Sequence, residues 1–96
     1  MQTADTVLDA MSPVRQPSGV VAIASLKPAS LEACLSSKPA LLVVLAGVQD
    51  AGNVGAVIRA AEGCGATGVI CTETTADPLG WKALRGAMGS SFRMAV

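Results

Sequence analysis

A strand–helix–strand pattern in the middle of the chain limits its fold more than any other feature. Leu41 to Ala46 is an unbroken aliphatic run, too short for a buried helix and typical of a parallel strand covered on both faces. From Val54 onward apolar residues recur at helical spacing, and Thr67 to Thr72 is a second β-branched run. The pattern predicts a βαβ unit in an α/β domain, with Leu41 to Ala46 as a central strand.

Capping residues mark where the predicted helices begin and end. Asn53 is a suitable N-cap for the helix of the βαβ unit, and Gly63 and Gly65 favour a left-handed stop after it. Ser30 is a suitable N-cap for a shorter helix upstream.

Weaker patterns flank the βαβ unit on both sides. We expect helices over Thr3 to Met11, Ala29 to Ser36 and Leu79 to Met88, and strands over Val20 to Ala24 and Phe92 to Val96. A domain rarely ends where a buried strand is starting, so we expect the chain to be part of a longer domain.

The overall charge is balanced, which restricts the partners that the chain can bind. Seven basic and seven acidic residues cancel, so no broad positive field is available to grip many phosphates. Any contact with a nucleic acid must therefore be local.

Cysteines and hydropathy indicate an ordinary intracellular protein. Cys34, Cys64 and Cys71 form no C-x-x-C pair and the chain has no His, so we expect free thiols, no disulfide and no metal site. The longest apolar run, Ala40 to Val48, is far shorter than the roughly 20 residues of a membrane span. We expect a soluble, cytoplasmic protein with no membrane partner.

Polar residues around the start of the central helix form the candidate site. Gly55, Arg59 and Glu62 fall at i, i+4 and i+7, which predicts a shared face on which Arg59 reaches back toward Asn53. Glu62 can pair with the guanidinium at i, i+3. A planar cation beside free helix N–H groups suits a phosphate or a ribose hydroxyl.

Other interpretations of the same residues remain open at this point. On spacing alone, a helix cap, close helix packing and a solvated ion pair are favoured over a binding site. A dinucleotide site would need the first glycine of G-x-G-x-x-G and an acidic ribose clamp, and the chain lacks both. A P-loop is excluded because no Gly-Lys-Ser/Thr follows.

The run from Val44 to Ala61 resembles the first motif of the SpoU/TrmH family of RNA 2′-O-methyltransferases, in the SPOUT superfamily. The family signature N-x-G-x-x-x-R falls on Asn53, Gly55 and Arg59. The segment Arg85 to Arg93 is similar to the one with which the family enters its next strand, although the family often has Ser in place of the Ala within it.

The resemblance implies a Rossmann-like parallel sheet that forms the N-terminal half of an α/β-knot methyltransferase domain. Residues 19–96 would belong to that domain, and residues 1–18 would be a linker and the tail of an N-terminal, L30e-like RNA-binding domain. The family's donor-binding motifs, which lie in its C-terminal knot, do not occur before Val96. We therefore expect the chain to be truncated before the knot and to hold no cofactor-binding residue.

The resemblance also implies the function. The family transfers a methyl group from S-adenosylmethionine to a ribose 2′-hydroxyl of rRNA or tRNA, and its members are homodimers. It implies catalytic roles for Arg59 and Asn53, and substrate contacts for Asn53, Gly55, Arg59, Glu62 and Arg85. The alternative is an inactive fragment or pseudo-methyltransferase that at most binds RNA or a protein partner.

Overall fold

Two parallel strands and the helix between them form the centre of the structure, a computed structural model that describes residues 2–16 and 18–96. In chain order, the elements are α1 (Asp5–Met11), α2 (Leu31–Cys34), β1 (Leu42–Leu45), α3 (Ala51–Gly63), β2 (Gly68–Cys71), α4 (Trp81–Ala87) and a 3₁₀ turn (Ser90–Phe92). Met1 and Pro17, which the sequence assigns to the tail and the linker, lie outside the described residues.

The predicted βαβ unit is confirmed. β1 and β2 are parallel, with Leu42 opposite Gly68 and Leu45 opposite Cys71. On the other side of β2, Ala95 makes a single parallel bridge to Gly68, and its carbonyl accepts a 2.9 Å hydrogen bond from the Val69 N–H. In the described sheet β2 therefore has a neighbour on each side.

The predicted central position of the first strand is wrong within the described residues. β1 lies at the edge of the sheet, and the side chain of Val44 is 58% exposed. An aliphatic run indicates burial but does not say which of two similar strands has neighbours on both sides. Here Ala95 bridges β2 and not β1.

The core lies between the sheet, α3 and α4. The side chains of Val54 and Ile58 on α3 are fully buried, and Val69 of β2 is 2% exposed. The remaining buried members of the cluster are small or aliphatic: Leu45, Ala61, Ala83 and Ala87. Small residues at the α3–α4 contact allow the two helices to approach closely.

Glycine makes that contact possible at two positions. A Cβ added to Gly55 would overlap the Ala83 carbonyl oxygen and lie 2.8 Å from the Ala87 nitrogen. On the partner helix, a Cβ added to Gly86 would lie 2.9 Å from the Gly52 carbonyl oxygen. The backbones of α3 and α4 thus touch directly.

α3 begins earlier than predicted, and its N-cap is Asp50 rather than Asn53. The Asp50 carboxylate accepts a 2.7 Å hydrogen bond from the Asn53 backbone N–H, so Asn53 lies within the first turn. Asp and Asn are both good N-caps, and the N-cap is the last residue with extended backbone before the helix, which is Asp50. At the other end Gly65 adopts the predicted left-handed conformation with φ +80°, whereas Gly63 is helical.

The upstream elements agree only in part with the sequence predictions. α1 is confirmed, and Ser30 caps α2 by accepting a 3.2 Å hydrogen bond from the Ala33 N–H. The predicted strand over Val20 to Ala24 is wrong: these residues form no strand, and Ile23 is 87% exposed. A β-branched run becomes a strand only where another strand can pair with it.

The predicted C-terminal strand is reduced to the bridge at Ala95. Phe92, its predicted first residue, ends the 3₁₀ turn and is 62% exposed. The turn follows two left-handed residues, Met88 and Gly89, which end the predicted helix as expected.

The cysteines and the lengths of the helices test the predictions on thiols and membrane spans. All three cysteines are free, as predicted, although Cys64 is exposed. Cys34 is buried against Gly68, where any side chain on the glycine would collide with its sulfur. Across residues 2–16 and 18–96, no helix is long and apolar enough to cross a membrane.

Candidate functional site

Threonines fix the loop that leads from β1 into α3. The Gly47 N–H, in a residue with φ +70°, donates to the Oγ1 atoms of Thr72 and Thr75 at 3.3 and 3.1 Å. Thr75 in turn donates to the Leu45 carbonyl at 2.8 Å. The carboxyl ends of both strands are thereby tied together, at the edge where parallel sheets present their functional loops.

An open groove of about 540 Å³ runs between α3 and α4 beside this loop. Gly52, Ala56 and Arg59 line it from α3 at i, i+4 and i+7. Its charged residues are Asp50, Arg59, Lys82 and Arg85. Three cations face one carboxylate, which already caps α3, so the groove is positively charged in a chain whose total charge is zero.

Arg59 is held only weakly. Its side chain is exposed, and its Nη1 donates to the Met88 sulfur at 3.2 Å. A thioether is a weak acceptor, and the described residues provide Arg59 with no carboxylate within ion-pair distance. The guanidinium can therefore exchange this contact for an anionic or strongly polar ligand.

The predicted pair between Glu62 and Arg59 is wrong. Glu62 instead receives two hydrogen bonds from Arg93, from Nε at 2.6 Å and from Nη2 at 2.8 Å. These bonds, with a contact to Ser90, lower the pKa of Glu62 to about 2. The 3₁₀ turn brings Arg93 to α3 from outside the helix, and a bidentate fork is stronger than an i, i+3 pair.

The structure brings together two of the predicted site residues, Arg59 and Arg85. Asn53 is exposed on the first turn of α3 and does not line the groove. Gly55 is buried beneath α4 and does not line the groove, and its predicted substrate contact stays a prediction. Glu62 is engaged with Arg93, so it does not orient Arg59.

Sequence reasoning missed the second cation and the aromatic residue that α4 adds to the groove, Lys82 and Trp81. Lys82 and Arg85 are at i, i+3 on α4, a spacing that places both on one face, and this signal was available from the sequence. The Lys82 ammonium lies over the indole of Trp81, 5.6 Å from the ring centroid. No sequence signal indicated that α4 would face Arg59.

A separate cavity of about 380 Å³ lies beside β2 and α2 and shares no residue with the groove. Its lining is mainly apolar and includes Leu31, Val69 and Cys71. Burial, and to a smaller extent the charge of Asp77, raises the pKa of the Cys71 thiol, which disfavours a reactive thiolate there.

Comparison with known proteins identifies the class to which this fold and groove belong. Residues 40–96 match the SpoU rRNA Methylase family, and this match covers more than half of the chain. The chain therefore belongs to the SpoU rRNA methylase family, and the resemblance seen in its motifs is confirmed.

Individual relatives agree with this assignment. The chain is 38% identical over 85 residues to rRNA methyltransferase 3A, mitochondrial, of Danio rerio, across 83% of this chain and 19% of the relative. It is 40% identical over 55 residues to the 23S rRNA guanosine 2′-O-methyltransferase RlmP of Bacillus subtilis (strain 168), across 57% of this chain and 22% of the relative. The chain thus spans about a fifth of the length of these relatives.

A solved structure shares the fold. An AdoMet-bound rRNA methyltransferase from Sinorhizobium meliloti matches with a TM-score of 0.58 and 37% sequence identity, over 62% of this chain and 23% of that one. The predicted α/β fold with a parallel sheet is confirmed, and it matches part of the fold of this rRNA methyltransferase.

Proposed function

We propose that this chain supplies the RNA-contacting part of an RNA 2′-O-methyltransferase. The observation that carries the proposal is the groove in which Arg59, free of any carboxylate among the described residues, lies beside Lys82 and Arg85. Family membership supports methyl transfer to RNA, and the name of the Bacillus relative supports the ribose 2′-oxygen as the acceptor.

Arg59 is the residue that we assign to the reaction. A ribose hydroxyl is a poor nucleophile, so methyl transfer to it needs positioning and loss of its proton to solvent, with stabilisation of the negative charge that builds on the oxygen as the proton leaves. A guanidinium can bind the ribose oxygen and an adjacent phosphate with one planar fork. Lys82 and Arg85 then neutralise flanking phosphates, while Asn53 remains a candidate contact on the exposed first turn of α3.

S-adenosylmethionine is the proposed methyl donor, in agreement with the AdoMet-bound relative. The groove does not fit this molecule, because its cations would repel the positively charged sulfonium. The apolar cavity beside β2 contains none of the groove residues, so a donor there would not be in contact with Arg59. We propose that the donor is held by parts of the family domain that this chain does not cover.

The remaining properties follow from the family and are proposals. rRNA is the favoured substrate because the relatives named above are rRNA methyltransferases, and tRNA is the alternative. We propose a homodimer, as the sequence resemblance implies, and the cytoplasmic location stays a prediction.

RNA binding by the chain tests the proposal. Arg59→Ala should weaken binding of single-stranded rRNA segments and lower the slope of log affinity against log salt by about 0.7, the value for one phosphate contact on a single strand. Arg15→Ala is the matched control, because it removes the same exposed cation from the linker, outside the groove. Fluorescence anisotropy over a salt series measures both quantities.

Equal effects of the two substitutions would contradict the proposal, since binding would then depend on total charge and not on the groove. A chain that binds no RNA even at low salt would contradict it as well.

A further inference from the structure

The single tryptophan of the chain stands at the rim of the groove with much of its ring exposed. Trp81 is the first residue of α4, and its side chain is 44% exposed. The buried residues of that helix are Ala83 and Ala87, and Trp81 lies outside the core cluster. Large aromatic side chains are usually buried, and an exposed one beside a charged groove suggests a binding role.

The surroundings of the indole match those of a nucleobase platform. Trp81 lines the same groove as Arg59, Lys82 and Arg85, so an aromatic side chain and three cations border one open space. The Lys82 ammonium covers one face of the ring at 5.6 Å from its centroid. The residue is nevertheless 44% exposed, so part of the ring is open to a flat ligand.

We propose that Trp81 stacks on an unpaired base of single-stranded RNA whose backbone lies along Arg59 and Arg85. Proteins that bind single strands combine a cationic path for the backbone with aromatic side chains on which bases stack. The ligand is therefore a single-stranded RNA segment, and the base that Trp81 contacts is next to the ribose presented to Arg59. This inference rests on the proposed function and adds a contact that recognises an unpaired base.

Base stacking also explains why the aromatic residue adjoins the cations. Phosphate contacts position the RNA but do not distinguish a single strand from a duplex, whereas a stacking platform requires a base that is free of its helix. Trp81 would thus select a ribose in an unpaired segment.

Two RNA probes and the fluorescence of the chain test the inference. The first probe is a short unstructured oligoribonucleotide, and the second is an abasic ribose-phosphate chain of equal length. With one Trp and no Tyr in the sequence, tryptophan emission reports on Trp81 alone. Dye-labelled probes give the affinities of the wild type and of Trp81→Leu, Trp81→Phe and Arg59→Ala, and circular dichroism checks folding.

The base-bearing probe should quench Trp81 emission, and the abasic probe should not. Trp81→Leu should weaken binding of the base-bearing probe roughly 5- to 150-fold, the range for one base–aromatic stack, and leave binding of the abasic probe unchanged. Trp81→Phe should keep part of the affinity for the base-bearing probe that Trp81→Leu loses. Arg59→Ala should weaken both probes.

The outcomes separate the inference from the proposed function. If Arg59→Ala weakens both probes but Trp81→Leu changes neither, the groove binds RNA and the stacking role of Trp81 is wrong. If Trp81→Leu weakens both probes equally, Trp81 acts on the backbone or on folding, and stacking is again wrong. If the wild type binds neither probe, the proposed function and the stacking inference both fail.

Discussion

Replacing Gly55 by alanine should destabilise the protein, although alanine is the better helix former. The added Cβ would overlap the Ala83 carbonyl oxygen and approach the Ala87 nitrogen to 2.8 Å. These are backbone atoms of α4, which cannot rotate away as a side chain could. We therefore take the upper end of the overpacking range, about 3 kcal/mol.

The helix propensity of alanine offsets part of this cost. Alanine in place of glycine inside a helix contributes about 1 kcal/mol. The net loss for Gly55→Ala is then about 2 kcal/mol, which lowers Tm by about 8 to 16 °C in a domain of this size. Thermal and urea unfolding followed by circular dichroism measure both quantities.

Gly63→Ala is the matched control. Gly63 lies in the last turn of the same helix, and an added Cβ there has no neighbour within 4 Å. Only the propensity term remains, so this variant should be up to about 1 kcal/mol more stable than the wild type. If Gly55→Ala is as stable as Gly63→Ala, the direct backbone contact between α3 and α4 is not present in solution.

Four further outcomes are expected. In a polypeptide that carries this sequence within a complete family domain, Arg59→Ala should raise the methyl-transfer barrier by about 2 to 4 kcal/mol with little change in Tm. Arg59→Lys should also impair the reaction, because lysine lacks the planar fork of the guanidinium. Near-normal single-turnover methylation by the folded Arg59→Ala protein would contradict this role. The ion pair with Arg93 lowers the pKa of Glu62 to about 2, so the pair stabilises the fold above the ordinary pKa of 4.5, and this stabilisation is lost as pH falls from 4.5 toward 2. The difference in Tm between the wild type and Glu62→Gln should therefore shrink over that range. A constant difference would show that the pair does not form. Calorimetry should detect negligible binding of S-adenosylmethionine to this chain, and a low-micromolar Kd would contradict the assignment of the donor to other parts of the domain. Because β1 is an edge strand with Val44 exposed, the chain should self-associate in sizing chromatography and Val44→Lys should reduce the effect; a sharp monomer peak for the wild type would refute it.

The sequence predicted the central unit well because its signals are local. An aliphatic run, a helical repeat of apolar residues and a second β-branched run each lie within one element, and together they produced the correct βαβ unit. The errors concern partners that come from elsewhere in the chain. Val20 to Ala24 has strand composition but no strand beside it, and Glu62 pairs with Arg93 across 31 positions rather than with Arg59 across three.

The candidate site was predicted incompletely for the same reason. Arg59 and Arg85 were identified through the family motifs, and the structure places both in one groove. Lys82 and Trp81 lie outside the quoted motifs, and their importance depends on the packing of α4 against α3. Such packing is not visible in the periodicity of either helix alone.

The position of Gly55 links the fold to the groove. In the signature N-x-G-x-x-x-R, the glycine and the arginine are one helical turn apart, and the structure gives them different tasks. Gly55 lets α4 touch the backbone of α3, while Arg59 remains at the edge of that contact. A larger residue at Gly55 would move α4 outward and carry Lys82 and Arg85 away from Arg59. The glycine therefore sets the distance between the cations of the groove through the packing of α3 against α4.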